Sequence, residues 1–314
     1  MTQASADRSF GRVTVLLGAN NGKYPHGNSV LVRGRDARLI IDPSLAVAAR
    51  AKELRGAAEV MVVSHAHEDH IAGVFVFPEA EVFAHREDAI GMRSVEGLMA
   101  IYGYGAELTP GMRDYVIDHF HYCARPDTQE FDDSAVFELG GVRVRAFHLP
   151  GHTRGHCAFL IEPEGVLFLG DIDLSGFGPY YGDAWSSVDD FARSLERVRA
   201  IEARVWVSAH HVGVIEDPAV YEKRLAAFTA KITERDQAIV EFLREPHTLA
   251  EMVRRRFLYP PQAELPFIDM AEQHTIEQHL RRLAAAGAVV EMEPGVFRHS
   301  SGVPTPPPAR TGPR

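Results

Sequence analysis

The chain has 314 residues, 46% hydrophobic and 24% charged, a balance that excludes a disordered, collagen-like or coiled-coil protein. Its 43 acidic and 33 basic side chains leave a formal net charge of −10, so the general attraction to phosphate backbones that nucleic-acid proteins carry is missing. Only two cysteines are present, Cys123 and Cys157, too few for a disulfide framework and without the Cys-x-x-Cys spacing of a thiolate metal site.

Along the chain, the opening residues show no basic region followed by an apolar core, so no signal peptide is expected. No apolar run reaches the roughly 18–20 residues needed to span a bilayer, and a cytoplasmic protein is expected. Strands are predicted at 13–17, 29–32 and 38–42, separated by Gly and Asn turns. The apolar run 60–63, ending at Ser64, reads as a strand buried on both faces. After a strand at 82–84, residues 86–125 turn rich in Gly, Met and Tyr at helical spacings, with Met92, Met99, Tyr102, Tyr104, Met112, Tyr115 and Tyr122. This is read as an inserted helical segment, either core packing or a lid or substrate wall. Strands at 136–139 and 142–147 flank Gly140-Gly141, a hairpin signal, and further strands are expected at 158–161, 166–169 and 205–207. From 219 to 244 the texture becomes that of a long amphipathic helix. Thr248 offers an N-cap, a loop follows at Tyr259-Pro260-Pro261, and a helix at 269–286 ends at Gly287 before a hairpin around Pro294-Gly295. Helix, helix, hairpin is a winged-helix-like order. The Pro-rich tail at 301–314 is expected to be disordered.

Chemistry concentrates at strand ends. Ser64-His65-Ala66-His67-Glu68-Asp69-His70 follows directly on the buried run. Imidazole nitrogen and carboxylate oxygen hold zinc and similar ions at about 2.0–2.2 Å. In an extended loop, His65 and His67 project to one side and can share an ion, while Asp69 and His70 can turn towards a second. Pro150-Gly151-His152-Thr153-Arg154-Gly155-His156, then Leu169-Gly170-Asp171, then Ser208-Ala209-His210-His211 each follow a predicted strand. Rigid strands with chemistry on the loops beyond them are a common way to build a site.

This order resembles the metallo-β-lactamase-fold hydrolase superfamily: an Asp ending an early strand, H-x-H-x-D-H, P-G-H-T-x-G-H, G-D and a terminal His, across residues 10–220. The resemblance implies an α+β fold, an αββα sandwich with a dinuclear metal site at one edge, carrying the helical insertion at 86–125. It assigns His65, His67 and His152 to a first ion, Asp69, His70 and His210 to a second, and Asp171 to both. Asp42, in Leu39-Ile40-Ile41-Asp42-Pro43, would orient the loop and its histidines by hydrogen bonding. His210 fits the family's small-small-His ending, with His211 the neighbouring alternative. His85, His119, His121 and His148 are read as packing, surface or orienting residues, and His156 as standing behind the site. Cys157 is read as a buried thiol rather than a nucleophile.

Two divalent cations, zinc first with iron or manganese as alternatives, would bridge a water and lower its pKa from about 15.7 towards neutrality. The expected activity is therefore hydrolysis by a bridged hydroxide, with Asp69 taking or giving the proton. A thioester or lactone is the favoured substrate, and Tyr180 and Tyr181 are expected at the pocket mouth. A phosphodiesterase or ribonuclease on the same site is the alternative. The stretch Glu272 to Leu283 with Gly287 resembles the tail of a branch related to hydroxyacylglutathione hydrolases, some of which cleave RNA. Residues 221–300 are thus expected to form a small C-terminal helical or winged-helix-like domain. Six arginines against seven acids between 246 and 300 give poor support for nucleic-acid binding, and Arg254-Arg255-Arg256 is read as a solvated helix face. A non-catalytic regulator binding DNA or a partner through the winged helix is the remaining reading. The expected partner is a small molecule, with no membrane and with room for a homo-oligomer.

Overall fold

A computed structural model describes residues 7–300; the tail at 301–314 lies outside the described residues. The first sheet contains β1 (Arg8–Phe10), β2 (Val13–Leu16), β3 (Ser29–Arg33), β4 (Arg38–Ile41), β5 (Val60–Val62), β6 (Glu81–His85) and β7 (Gln129–Phe131), side by side in chain order. β1 to β4 pair antiparallel and β4 to β7 parallel. The second sheet runs β13-β12-β11-β10-β9-β8, from β8 (Val136–Glu138), β9 (Arg143–His148), β10 (Cys157–Glu162), β11 (Val166–Phe168), β12 (Val205–Val207) and β13 (Val214–Ile215).

Side chains alternate across each strand with period two, and here both faces are apolar. Val30, Val32, Leu39 and Ile41 turn inward to meet Phe159, Ile161, Val166 and Phe168 of the other sheet. Leu31 and Ile40 turn outward. A sheet hydrophobic on both faces must be covered on both. α1 (Ala19–Gly22) lies between β2 and β3. The outer face of the first sheet carries α2 (Leu45–Ala48), α3 (Ala51–Leu54), α4 (Glu68–Ile71), α5 (Ala89–Arg93), α6 (Val95–Tyr102) and α7 (Thr109–Phe120). The second is covered by α8 (Val188–Arg199) and the first half of α9 (Pro218–Phe242), through Phe191, Leu195, Leu225 and Phe228 against Leu160, Leu167 and Trp206. The result is the αββα sandwich expected. The parallel strands β4 and β5 end at one sheet edge, and the loops that follow them meet there the loops after β9, β11 and β12.

α9 begins where Asp217 accepts a hydrogen bond from Ala219 N at 2.8 Å, with Pro218 in the first helical position, where its missing N–H costs nothing. Its last turns enter a second small core. There Ile239, Val240 and Leu243 pack with Met252 of α10 (Leu249–Arg255), with Ile276, Leu280 and Leu283 of α11 (Ile268–Ala285), and with Val289. Thr248 and Glu251 cap α10 reciprocally. A third sheet, β14-β16-β15, joins β14 (His247–Thr248), β15 (Val289–Glu293) and β16 (Val296–His299). Among the described residues, no helix is long and apolar enough to cross a membrane.

One buried polar chain ties α9 and α11 to the sandwich. The Tyr181 hydroxyl donates to His279 Nε2 at 2.8 Å, and His279 Nδ1–H donates to Asp236 at 2.7 Å. Tyr181, expected at the pocket mouth, is instead fully buried, because this hydroxyl partner draws it under α11. Burial lowers the His279 pKa below its usual 6.5, against the opposite pull of Asp236 and with the help of Arg235 and Arg282. The unfolded chain therefore takes up this proton before the folded one. The contribution is intact above pH 6.5 and erodes as pH falls below it. The Tm is expected to drop on acidification from pH 7 to 5, with a shallower drop in His279→Gln. An equal slope in the variant would assign the loss to another group.

Candidate metal centre

The H-x-H-x-D-H loop is shaped by Asp42. This residue, fully buried and at a left-handed φ of 48°, accepts Ser64 N–H at 2.6 Å on one oxygen. On the other it accepts the Ser64 hydroxyl at 2.5 Å and His70 Nδ1–H at 2.7 Å. The strand exit is thereby fixed, and α4 starts immediately after His67, which puts Asp69 and His70 in its first turn.

Seven side chains then converge. His152 Nε2 lies 3.1 Å from His65 Nε2 and 3.0 Å from His67 Nδ1. The three rings stand edge to face, at 82°, 84° and 82° to one another, so their in-plane lone pairs meet at one point. On the other side, His210 Nε2 is 3.0 Å from Asp69 Oδ2 and 3.2 Å from His70 Nε2. Asp171 stands between the groups: Oδ2 is 3.2 Å from His152 Nε2, and Oδ1 is 3.0 Å from His70 Nε2 and 3.4 Å from His210 Nε2. The two trios are each close enough to share an ion.

The residues fit such ions. Ligands about 2.0–2.2 Å from a common cation sit roughly 3.0–3.5 Å apart, the spacing seen here. The far nitrogen of every histidine is held as well. His65 Nδ1 meets Ser64 Oγ at 3.0 Å, His67 Nε2 meets Asp183 at 3.0 Å, His152 Nδ1 donates to Tyr180 O at 3.0 Å, and His210 Nδ1 donates to Gly22 O at 2.8 Å. Such partners fix the tautomer that aims a lone pair inward. Gly22 must be glycine: its φ is 76°, and a Cβ would lie 2.5 Å from Ala209 O. The field of the cluster calls for positive charge. Burial pulls the His210 pKa down, yet Asp171 and Asp69 outweigh it and raise it to about 10. An ion must displace such protons to bind.

His211 is not brought into the cluster. It takes a left-handed φ of 61° and points its Nε2 to within 3.9 Å of Asp173. His156 stands behind: Nδ1–H donates to Leu149 O at 3.0 Å, Nε2 accepts Asp171 N–H at 3.0 Å, and burial brings its pKa down to about 3. Cys157 points between the sheets, where burial pushes its thiol well up, so it is no nucleophile. His85 and His148 share Asp133, at 3.1 and 3.4 Å. Their rings stack at 14°, so their lone pairs run side by side and no ion can lie in both planes.

Two supporting residues, Asp183 and Asp88, lie outside every motif, and a third, Glu68, fills a variable position of the H-x-H-x-D-H loop. Asp183 braces His67 from behind. Asp88, fully buried, accepts Thr153 Oγ–H at 2.6 Å, Gly155 N–H at 2.8 Å and Ala66 N–H at 3.3 Å, locking the two His-bearing loops together. Glu68 accepts hydroxyl hydrogen bonds from Tyr24 at 3.0 Å and from Tyr102. Above the cluster opens a cavity of about 220 Å³, walled by Tyr24, Tyr102, Tyr104, Tyr180, Tyr259 and Phe267 among others. Tyr102, Tyr104 and Phe267 stack in succession at 13° and 18°. The segment 86–125 thus does both jobs: Tyr102, Tyr104 and Met112 face the cavity, while Met92 and Met99 sit in the core. The C-terminal unit closes the wall with Tyr259, Leu265 and Phe267.

The sequence profile of the metallo-beta-lactamase superfamily matches residues 24–211, and the chain belongs to that superfamily. It is a metallo-β-lactamase-fold hydrolase. Over 311 residues it is 27% identical to an atrochrysone carboxyl ACP thioesterase of Emericella nidulans, covering 94% of this chain and 86% of the relative. A metallo-beta-lactamase family protein from Thermus thermophilus superposes with a TM-score of 0.68 at 24% identity, over 92% of this chain and 99% of its own. A beta-lactamase domain protein from Burkholderia ambifaria also reaches 0.68, at 18% identity, over 96% and 95%. These two likenesses establish the fold.

Proposed function

We propose that the protein is a dinuclear metal-dependent acyl thioesterase. Its catalytic unit spans residues 10–220, and 221–300 form a winged-helix-like cover. The observation that carries the reading is the pair of ligand trios sharing Asp171 at the base of an aromatic cavity. His65, His67 and His152 would hold one ion, Asp69, His70 and His210 the other, and Asp171 both. The nitrogen and oxygen donors suit zinc, with iron or manganese as alternatives. When bound, such ions supply Lewis acidity and acidify a water.

The chain's own residues do the rest. The stacked tyrosines receive the acyl group and exclude water from it. Burial pushes the Asp69 carboxyl up, but His70 and His210 outweigh it and keep the group ionised. Asp69 accepts the proton released as water adds to the thioester carbonyl. The C–S bond then breaks, and the departing thiolate takes a proton back, leaving a free acid and a thiol. The relative's name, a carboxyl ACP thioesterase, supports an acyl group carried on a thiol. Arg256 speaks against a nucleic acid, since it donates to Ala263 O at 2.7 Å within its own loop.

The test is a substrate panel with and without chelator: aryl and straight-chain acyl thioesters, lactones, and a phosphodiester. Thioester turnover that vanishes on chelation and returns with Zn²⁺ is expected. Faster phosphodiester cleavage would move the assignment to the alternative activity, and a salt-dependent DNA shift without turnover would make the protein a regulator.

A further inference from the structure

The segment 172–187 leads from Asp171 to α8 and meets ring nitrogens of the first ligand trio twice. Its Tyr180 carbonyl accepts from His152 Nδ1, and its Asp183 carboxylate meets His67 Nε2. Ser186 Oγ also donates to His152 O at 2.6 Å, and the Tyr180 hydroxyl donates to Asp183 at 3.1 Å. Two of the three histidines of that trio therefore take their ring orientation from one irregular loop. The loop contains no helix or strand of its own to hold it in shape.

The sandwich holds the end of the loop, where the N–H groups of Ala184, Trp185 and Ser187 donate to Tyr102 O, Ile101 O and Gly151 O at 3.0, 3.2 and 2.8 Å, and the C-terminal helices hold its middle. Arg235 of α9 donates to Phe177 O at 2.7 Å and to Pro179 O at 2.6 Å, its guanidinium 5.2 Å from the centre of the Tyr181 ring. Gln278 of α11 donates to Tyr181 O at 2.8 Å and accepts Val188 N–H at 2.7 Å. His274 of α11 donates to Gly182 O at 2.9 Å. The carbonyls of Phe177, Pro179, Tyr181 and Gly182 are thus taken by α9 and α11, which leaves the Tyr180 carbonyl turned the other way, to His152. Arg235 and Gln278 are almost fully buried, so these bonds are shielded from competing water.

We infer that Arg235, His274 and Gln278 are positioning residues of the metal centre. The C-terminal helices set the aim of His152 and His67 through the 172–187 loop, and without that grip the first trio loses affinity while the second keeps it. The inference rests on the dinuclear reading above. Partners that orient ligands typically contribute 10–100-fold in metal affinity.

The test titrates Zn²⁺ against a chromogenic chelator in the full chain, comparing wild type with Arg235→Met, Gln278→Leu and the half-buried His274→Phe. Met252→Ala, in the small C-terminal core but outside the grip, serves as the control for mere loosening. Wild type is expected to hold two ions, and the three grip variants to hold one of them about 10–100-fold more weakly. The control is expected to lower Tm with both affinities unchanged. Two ions held at wild-type affinity in every folded grip variant would overturn the inference alone, as would an equal loss in Met252→Ala. A wild-type chain that binds no Zn²⁺ would overturn the dinuclear reading and the inference together.

Discussion

Asp171→Ala is expected to abolish thioester turnover, lowering kcat/KM by about 10³-fold or more, roughly 4 kcal/mol of transition-state stabilisation. The reason is geometric. One carboxylate oxygen faces His152 and the other faces His70 and His210, at 3.0–3.4 Å, so this side chain alone belongs to both trios. Alanine leaves five imidazoles and Asp69 to face two dications, with no shared anion between them. Elemental analysis of the purified variant should find at most one ion per chain. The fold should persist, since the backbone N–H of residue 171 still reaches His156 Nε2. In the metal-free chain, however, the carboxylate pairs with His70, His152 and His210, which hold its pKa well below the usual carboxylate range. The metal-free Tm is therefore expected to fall at neutral pH, while the gain in Tm on adding Zn²⁺ shrinks. A variant that keeps two ions and turns over within tenfold of wild type would remove Asp171 from the bridge.

How much of this was legible in the sequence depended on whether local pattern or tertiary packing decides the feature. The strand at 60–63 and the histidines that follow it are local: a buried run must end somewhere, and a His-rich turn at its end has little other use. All seven proposed ligands lie in such turns, and the structure brings the seven together. Alternating apolar runs likewise made the sandwich readable. The supports of the site were harder. Asp88 and Asp183 sit in stretches with no motif, and each matters only because a distant loop folds against it. The fate of Tyr180 and Tyr181 was equally invisible, since neighbouring tyrosines with the same local preference part company. One lines the cavity and the other donates to His279, ninety-eight positions along the chain. The C-terminal helices could be placed by caps and periodicity, at Thr248 and Gly287. Their grip on backbone carbonyls could not, because a carbonyl acceptor has no sequence signature.

Asp42→Asn is the second change with a large expected effect, and it acts without touching any ligand atom. The carboxylate accepts from Ser64 N, Ser64 Oγ and His70 Nδ1. An amide can accept on one side only, so if its oxygen keeps the Ser64 N–H, its NH₂ faces His70 Nδ1. That ring nitrogen must then accept, which moves the His70 proton to Nε2, where it points at Asp171 and His210 in place of a lone pair. The second trio loses a ligand although every heavy atom can stay in place. Zn²⁺ affinity at one of two sites is expected to fall about 10–100-fold, read by chelator competition, with turnover falling alongside. Asp42→Ala separates the two roles of the residue. It frees His70 to choose its tautomer but strands the buried Ser64 N–H, at a cost of about 1–3 kcal/mol in stability. The asparagine variant should thus be the more stable and the worse metal binder of the two. If it held both ions as tightly as wild type, Asp42 would be a brace for the Ser64 turn and not the residue that aims His70.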